Sequence, residues 1–214
     1  MQKANLVGAE MQRADLWEAQ MQRANLSGAE MQGANLREAQ MQRAVLIRAQ
    51  MQKAKLQGAE MQRAVLWEAQ MQRANLEGAE MQGANLEGAQ MQGANLAWAQ
   101  MQGADLFRAQ MEGADLSGAS FDQPKRLDYA SFAASALRAV DFTIVAKGAE
   151  DDLKDRLAEA FGDGSVKVPK EWGWDSYETG RPAHWPLEVL DHSEFLKRWR
   201  AWQQEIGYSD EDAD

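Results

Sequence analysis

The sequence contains no cysteine among its 214 residues. Disulfide bonds, thiolate metal sites and cysteine nucleophiles are therefore excluded, and the redox compartment stays open. The two histidines are too few to predict a histidine-rich metal centre. No apolar run reaches the ~18 residues that a membrane-spanning helix needs, and no basic and apolar N-terminal region marks a secretory signal. We expect no metal, no cofactor and no membrane span in this chain.

Recognisable catalytic motifs are missing as well. His184 and His192 flank Pro186 without any accompanying nucleophile motif. The glycines form no phosphate-binding loop. The sequence therefore predicts a protein that is not an enzyme.

The formal net charge of −10 is unevenly distributed along the chain. Residues 1–120 contain 11 Lys+Arg and 13 Asp+Glu, a net charge of −2. Residues 121–214 contain 12 and 20, a net charge of −8. The acidic character therefore belongs to the C-terminal part.

A ten-residue pattern, Met-Gln-x-Ala-Asn-Leu-x-x-Ala-Glu, recurs with little change from Met1 to about Ser120. Each half of it is a five-residue unit with a small residue, a polar residue, Leu or Met, and two variable residues. A helix would spread these apolar positions around its whole surface, because five residues advance a side chain by ~140°. A flat strand fails too, since an odd period reverses the buried face at every unit.

One geometry keeps every Ala, Leu and Met inside. Each unit is a three-residue extended piece with its small and large apolar residues inward, followed by a two-residue corner. Successive corners of one sense wind the chain into coils that stack at ~4.8 Å. The sequence therefore predicts an all-β solenoid.

The five-residue unit resembles that of the pentapeptide-repeat family, as in Ala24-Asn25-Leu26-Ser27-Gly28 and Ala104-Asp105-Leu106-Phe107-Arg108. The resemblance implies a right-handed quadrilateral β-helix with twenty residues per coil. Alternate units depart from the family pattern, with Met at the centre and Glu or Gln before it. We interpret the Met residues as core packing, because Met fills irregular gaps.

Two domains are predicted, with the boundary after residue 147. The β-helix covers residues 1–147, and Asp122-Gln123-Pro124 adds one residue to a corner, so that the last coil runs over about 125–147. Residues 148–214 form a helical and aromatic segment that caps the open end of the solenoid.

Two helices are expected in the capping segment. Helical spacing relates Leu153, Leu157, Ala160 and Phe161, and Gly162 or Gly164 can end that helix. A second helix is predicted at about 193–206, with Ser193 or Asp191 as N-cap. Its apolar face, a candidate for capping or for dimerisation, contains Phe195, Trp199 and Trp202. Between the helices, Trp172, Trp174 and Trp185 are interpreted as cap residues or, alternatively, as an aromatic ligand site, in an irregular loop that also contains Tyr177.

Residues twenty apart occupy the same position on successive coils, and the columns that they form contain two candidate surfaces. Val45, Ile47, Val65 and Trp67 converge on adjacent coils and form a candidate interaction patch, or else a local stacking cluster. Arg23, Arg43 and Arg63 follow Lys3 in a basic column. This column is a candidate site for phosphate or carboxylate groups, or a solvated corner balanced by Glu60 and Glu80. A column that includes Gln22, Gln42 and Gln62 is predicted to form an amide ladder between coils.

The function predicted first is a non-enzymatic structural solenoid that presents a rigid surface for protein–protein association. The alternative, implied by the family resemblance, is a DNA-mimic protein that binds DNA gyrase and gives quinolone protection. The near-neutral repeat argues against that alternative, because mimicry needs acidic charge along the wall. A third possibility is a module joined to a catalytic domain outside this chain.

We expect a protein partner or self-association, with a homodimer as one form, and no direct binding of nucleic acid. A bacterial, cytoplasmic protein is expected, and the chain can be a fragment of a longer one.

Overall fold

The computed structural model describes residues 1–121, 124, 126–140, 142, 150–168, 172, 174 and 181–208. In the repeat, each five-residue unit ends in a tight turn closed by a backbone hydrogen bond, such as Ala24 N to Met21 O at 3.0 Å. The third residue of each turn has a left-handed backbone, with φ of 58° at Arg23. A positive φ at that position is typical of a type II turn.

The coils stack through parallel bridges between residues twenty apart, for example Asn25 with Val45 and Val45 with Val65. Each bridge contributes backbone hydrogen bonds in both directions, such as Leu26 N to Val45 O at 2.7 Å and Val45 N to Ala24 O at 2.9 Å. The twenty-residue coil predicted from the sequence is therefore present.

The core of the solenoid consists of the inward Ala, Leu and Met side chains. Ala64, Leu66 and Met71 have no exposed surface. The extended three-residue pieces turn their first and third side chains to the same side, which explains why small and large residues share the interior. The Met residues are packing residues, as predicted.

The register of the stacked coils changes once. Gln100 pairs with Ser120, twenty residues away, whereas Asp105 pairs with Arg126, twenty-one residues away. The repeat frame then continues one position later, and Phe132, Leu137 and Phe142 are buried. Residues 122, 123 and 125, where the insertion is predicted, and the predicted end of the last coil at residue 147 lie outside the described residues. The division into two domains stays a prediction.

A short parallel pair covers the edge of the last coil. Strand β1, Ala136–Leu137, pairs with strand β2, Phe161–Gly162. Further along, Lys167 N donates to Val140 O at 2.9 Å and Phe142 N donates to Lys167 O at 2.7 Å. Backbone groups that a solenoid end would leave unpaired are thereby satisfied.

Helix α1, Glu150–Ala158, lies over the end of the core. Leu153 and Leu157 are fully buried in the same apolar cluster as the coil residues. Its Arg156 donates to Leu127 O at 3.0 Å. The prediction that Ala160 and Phe161 continue this helix is wrong, because Phe161 N donates to Ser135 O at 2.8 Å and enters β2 instead.

The three tryptophans between the helices belong to the interior. Trp172, Trp174 and Trp185 are 5%, 4% and 1% exposed. The Trp174 ring meets the other two edge-on, at centroid distances of 5.4 and 5.2 Å. This burial excludes the alternative of an open aromatic ligand site formed by these three rings. Tyr177 lies outside the described residues.

Helix α2, His192–Glu205, begins one residue earlier than predicted. Its N-cap is Asp191, whose carboxylate accepts from Glu194 N at 3.0 Å. Within the described part of the chain, neither helix is long and apolar enough to cross a lipid bilayer.

Candidate protein-interaction surface

The predicted patch lies on the outside of adjacent coils. Val45 and Val65 form one bridge, and their side chains are half-buried. Trp67 is also half-buried, since the Arg48 guanidinium lies over its ring at 4.8 Å from the centroid. Arg48 is held there by an ion pair with Glu68 at 2.7 Å. The patch is therefore an apolar strip with an arginine-covered indole, and its role in binding stays a prediction.

Aromatic residues recur along the same corner of the solenoid two coils further on, after Glu87. Phe107 and Tyr129 meet edge to face at 5.7 Å, and Tyr129 is 67% exposed. The Arg108 guanidinium lies 5.0 Å from the Phe107 ring centroid and 5.9 Å from that of Tyr129. Tyr129 was missed from the sequence because the insertion shifts it into this corner. We name the following residues the aromatic–arginine corner: Ile47, Arg48, Trp67, Phe107, Arg108 and Tyr129.

A charge cluster stiffens the wall beside this corner. Arg126 donates to both carboxylate oxygens of Asp105 at 2.7–2.9 Å and to Glu87 at 2.6 Å. These hydrogen bonds, with Asp105 first, raise the pKa of Arg126 above its ordinary value. Asp105 is only 2% exposed, so its charge needs this partner. The arginine also lies over the Phe107 ring, 4.7 Å from the centroid.

The predicted basic column occupies another corner. Arg23, Arg43 and Arg63 are exposed and share left-handed φ values of 57–58°. None of the three forms an ion pair with any described residue. The expected neutralisation of their charge by Glu60 and Glu80 is therefore not seen. Those carboxylates accept instead from the glutamine amides of earlier coils.

The glutamine column does bond between coils, but not as a ladder of identical residues. From Gln2 to Gln92, these amides donate to the bridge residue eighteen positions on, as in Gln82 to Gln100 at 2.7 Å and Gln72 to Gln90 at 2.6 Å. This contact explains why Glu or Gln precedes the Met residues. The prediction of an amide link between coils is confirmed, with a different partner.

The candidate dimerisation face of α2 is used within the chain. Phe195 and Trp199 are buried, and Trp199 Nε1 donates to Ala134 O at 2.8 Å. Trp202 stacks on His184, with ring centroids 4.6 Å apart. These contacts favour the capping interpretation of the helix over dimerisation. Burial lowers the pKa of His184.

The repeat pattern of the chain matches the model of the family described as pentapeptide repeats, in eight copies over residues 1–28, 29–68, 69–106 and 99–123. The chain belongs to the pentapeptide-repeat family. A comparison with curated proteins found no significant match.

Solved pentapeptide-repeat structures resemble the chain at low identity. HetL from the cyanobacterium Nostoc sp. strain PCC 7120, described as involved in regulating heterocyst differentiation, is 22% identical with a TM-score of 0.46, over 78% of this chain and 79% of its own. QnrB1, a plasmid-mediated fluoroquinolone resistance protein, is 16% identical with a TM-score of 0.40, over 84% and 93%. A protein of the Arabidopsis thaliana thylakoid lumen is 26% identical with a TM-score of 0.25, over 64% and 77%.

Proposed function

We propose that this pentapeptide-repeat chain is a non-enzymatic solenoid that binds a protein through its aromatic–arginine corner. The observation that carries the proposal is the alignment of Trp67, Phe107 and Tyr129 on one corner, each beside an arginine. Trp, Tyr and Arg are the residue types that most often dominate the binding energy of protein interfaces.

The backbone beneath the corner favours tight association. Inter-coil hydrogen bonds such as Arg48 N to Trp67 O, 2.9 Å, and Arg108 N to Asp128 O, 3.0 Å, fix the positions of these side chains. A surface that is ordered before binding loses less conformational entropy on binding. The corner therefore offers a preorganised strip several coils long.

We also propose the two features of the architecture that the sequence predicted, the handedness of the coils and the capping of the open end. A right-handed sense of the coils is what the family implies. A capping function of the C-terminal segment is supported by the burial of Leu153 and Leu157 against the last coil. A bacterial and cytoplasmic origin stays a prediction.

Association is tested with two matched variants. Trp67→Glu places a charge in the corner, whereas Trp17→Glu changes a 57% exposed tryptophan at the equivalent position of another corner. We expect light scattering or cross-linking to show a complex, with a second copy or with an identified partner, that Trp67→Glu weakens and Trp17→Glu keeps. Circular dichroism should be unchanged in both. Equal effects of the two variants, or no effect of either, would contradict the proposal.

The gyrase alternative is not favoured by the surface. The net charge of −2 over residues 1–120 is accompanied by exposed arginines at positions 23, 43 and 63, which form no ion pair with any described residue. A duplex mimic requires a continuous acidic wall. We expect the purified protein to leave DNA supercoiling by gyrase unchanged at micromolar concentration, and inhibition there would restore the alternative.

A further inference from the structure

A cavity of about 400 Å³ lies between the C-terminal half of α2 and the wall of the solenoid. On the solenoid side, the chain passes through Gly93–Asn95 and Gly113–Asp115. The two preceding coils have Lys53 and Arg73 at this position of the column, and the coil before those has Gly33. Replacing those long side chains by Gly93 and Gly113 opens the wall where the helix crosses it.

The roof of this cavity is fixed by direct hydrogen bonds to the last coils. Tyr208 donates its hydroxyl to Glu112 O at 3.0 Å. Trp199 Nε1 and Gln203 Nε2 both donate to Ala134 O, at 2.8 and 2.9 Å. A side chain at position 113 would overlap the Tyr208 ring. The cavity is therefore built into the contact between helix and solenoid.

Residues whose polar groups have unused hydrogen-bonding capacity line this space. Asp115 uses Oδ1 to accept from Ser117 N at 2.9 Å, and its Oδ2 accepts no hydrogen bond from the described residues. Asn95 likewise uses Oδ1 for Ala97 N at 3.0 Å, which leaves its Nδ2 as a donor. Arg200 is exposed and forms no ion pair among the described residues.

This set of groups selects the charge of a ligand. An anionic ligand would be repelled by the Asp115 carboxylate, and a cationic ligand would be repelled by the Arg200 guanidinium. A neutral molecule rich in hydroxyl groups satisfies both, because each hydroxyl donates to a carboxylate and accepts from an amide or guanidinium. Trp199 and Tyr208 add aromatic surface to the cavity wall.

We propose that this cavity binds a neutral monosaccharide unit. Its volume of about 400 Å³ lies in the range of small-molecule sites, ~300–1,000 Å³, and its lining is mostly polar. In this complex Asp115 Oδ2 accepts a hydrogen bond from a sugar hydroxyl, and Asn95 and Arg200 donate hydrogen bonds to hydroxyl oxygens. This site is separate from the aromatic–arginine corner and does not depend on its function.

Titration of the intact protein with glucose, galactose, mannose and N-acetylglucosamine, followed by saturation-transfer NMR, tests the site. We expect at least one sugar to bind wild type at millimolar concentration. Asp115→Asn keeps the Oδ1 acceptor for Ser117 but replaces the free carboxylate oxygen by an amide. Its affinity for that sugar should fall ~10-fold or more, as for a lost hydrogen bond to a charged group.

Asp15→Asn is the matched control. Asp15 has the same place in the repeat, with its Oδ1 accepting from Trp17 N at 3.3 Å, but lies outside the cavity. Its sugar binding should equal that of wild type. The proposal is overturned if none of the four sugars binds, if Asp115→Asn binds as wild type does, or if glycine and other free amino acids displace the sugar. Circular dichroism checks that both variants fold.

Discussion

At the scale of single residues, the left-handed corner position decides what each coil tolerates. Glycine and long polar side chains both occur there, and a non-glycine residue costs ~1–2 kcal/mol in that conformation. Arg63 and Trp98, with φ of 57° and 61°, show that the stacked coils hold the backbone in this state even so. The corner is thus set by backbone pairing more than by the residue that occupies it.

Two glycines separate backbone strain from steric overlap. A methyl group added at Gly78, where φ is 65°, would have no atom within 4 Å, whereas one added at Gly113, where φ is 66°, would overlap Tyr208. Gly78→Ala should lower the free energy of unfolding by about 1 kcal/mol. Gly113→Ala should lower the free energy of unfolding clearly more than Gly78→Ala does, and it should also weaken the packing of α2 on the coils. Chemical denaturation measures the first effect, and proteolysis of the C-terminal segment measures the second.

His184 gives the stability of the C-terminal segment a pH dependence. Its Nε2 lies 2.7 Å from Ala160 O, and its ring stacks on Trp202. Arg198 and Glu205 are the other charged side chains that line the pocket beside His184 within the described part of the chain. Burial lowers the pKa of His184 in the folded protein, so His184 binds a proton more readily in the unfolded chain. His184 therefore contributes fully to stability above the pKa that it has in the unfolded chain. This contribution is lost as the pH falls through the lower pKa that His184 has in the folded protein.

We expect the free energy of unfolding of wild type to decrease between about pH 7 and pH 5. His184→Gln should show a smaller decrease over that interval, because the titrating ring is gone while the amide can still donate to Ala160 O. Denaturant midpoints at several pH values measure this difference. An equal decrease in the two proteins would show that other groups cause it.

At the scale of elements, the five-residue period was enough to predict the coil, its inward residues and the shift after residue 120. The period could do this because one geometry alone buries every Ala, Leu and Met. The C-terminal segment was less predictable. Phe161 fits a helical spacing with Leu157, yet it pairs with Ala136 as a strand, a long-range contact that no local pattern contains.

In the candidate surfaces too, the repeat period predicted some positions, whereas others depend on long-range contacts. The sequence located Val45, Ile47, Val65 and Trp67 because their columns follow from the period. Tyr129 joins that corner, and Arg126 comes to lie beside it, only after a register change of one residue. The carboxylate partners of Arg126 are 21 and 39 positions earlier. The cavity under α2 was not predictable, since it requires the position of a helix relative to the coils.

Substitution inside one coil tests the inward geometry. Ala64 has no exposed surface, and Ala64→Leu should overpack the core and lower the free energy of unfolding by about 1–3 kcal/mol. Lys55→Leu is the control, since Lys55 is an exposed bridge residue. It should change stability by less than about 0.5 kcal/mol. Thermal unfolding compares the two, and an Ala64→Leu protein as stable as wild type would contradict the inward position.

At the scale of the whole molecule, the fold turns a repeating sequence into separate longitudinal surfaces. Exposed basic residues follow one corner, aromatic and arginine residues follow another, and the glutamine amides bond between coils beside the Met residues. Residues twenty apart become neighbours, while residues ten apart face opposite directions across the core. Each proposed function depends on this register.

The absence of native cysteine allows that register to be measured directly. Gln57 and Glu77 occupy the same corner of successive coils, whereas Glu77 and Glu87 lie on opposite corners although they are closer in sequence. Cysteine pairs at 57 and 77 and at 77 and 87 should be oxidised under mild conditions and analysed by peptide mass spectrometry. Disulfides form readily only when the Cα atoms are within ~7 Å. We predict an intramolecular disulfide for the 57/77 pair and none for the 77/87 pair, and the opposite result would contradict the twenty-residue coil.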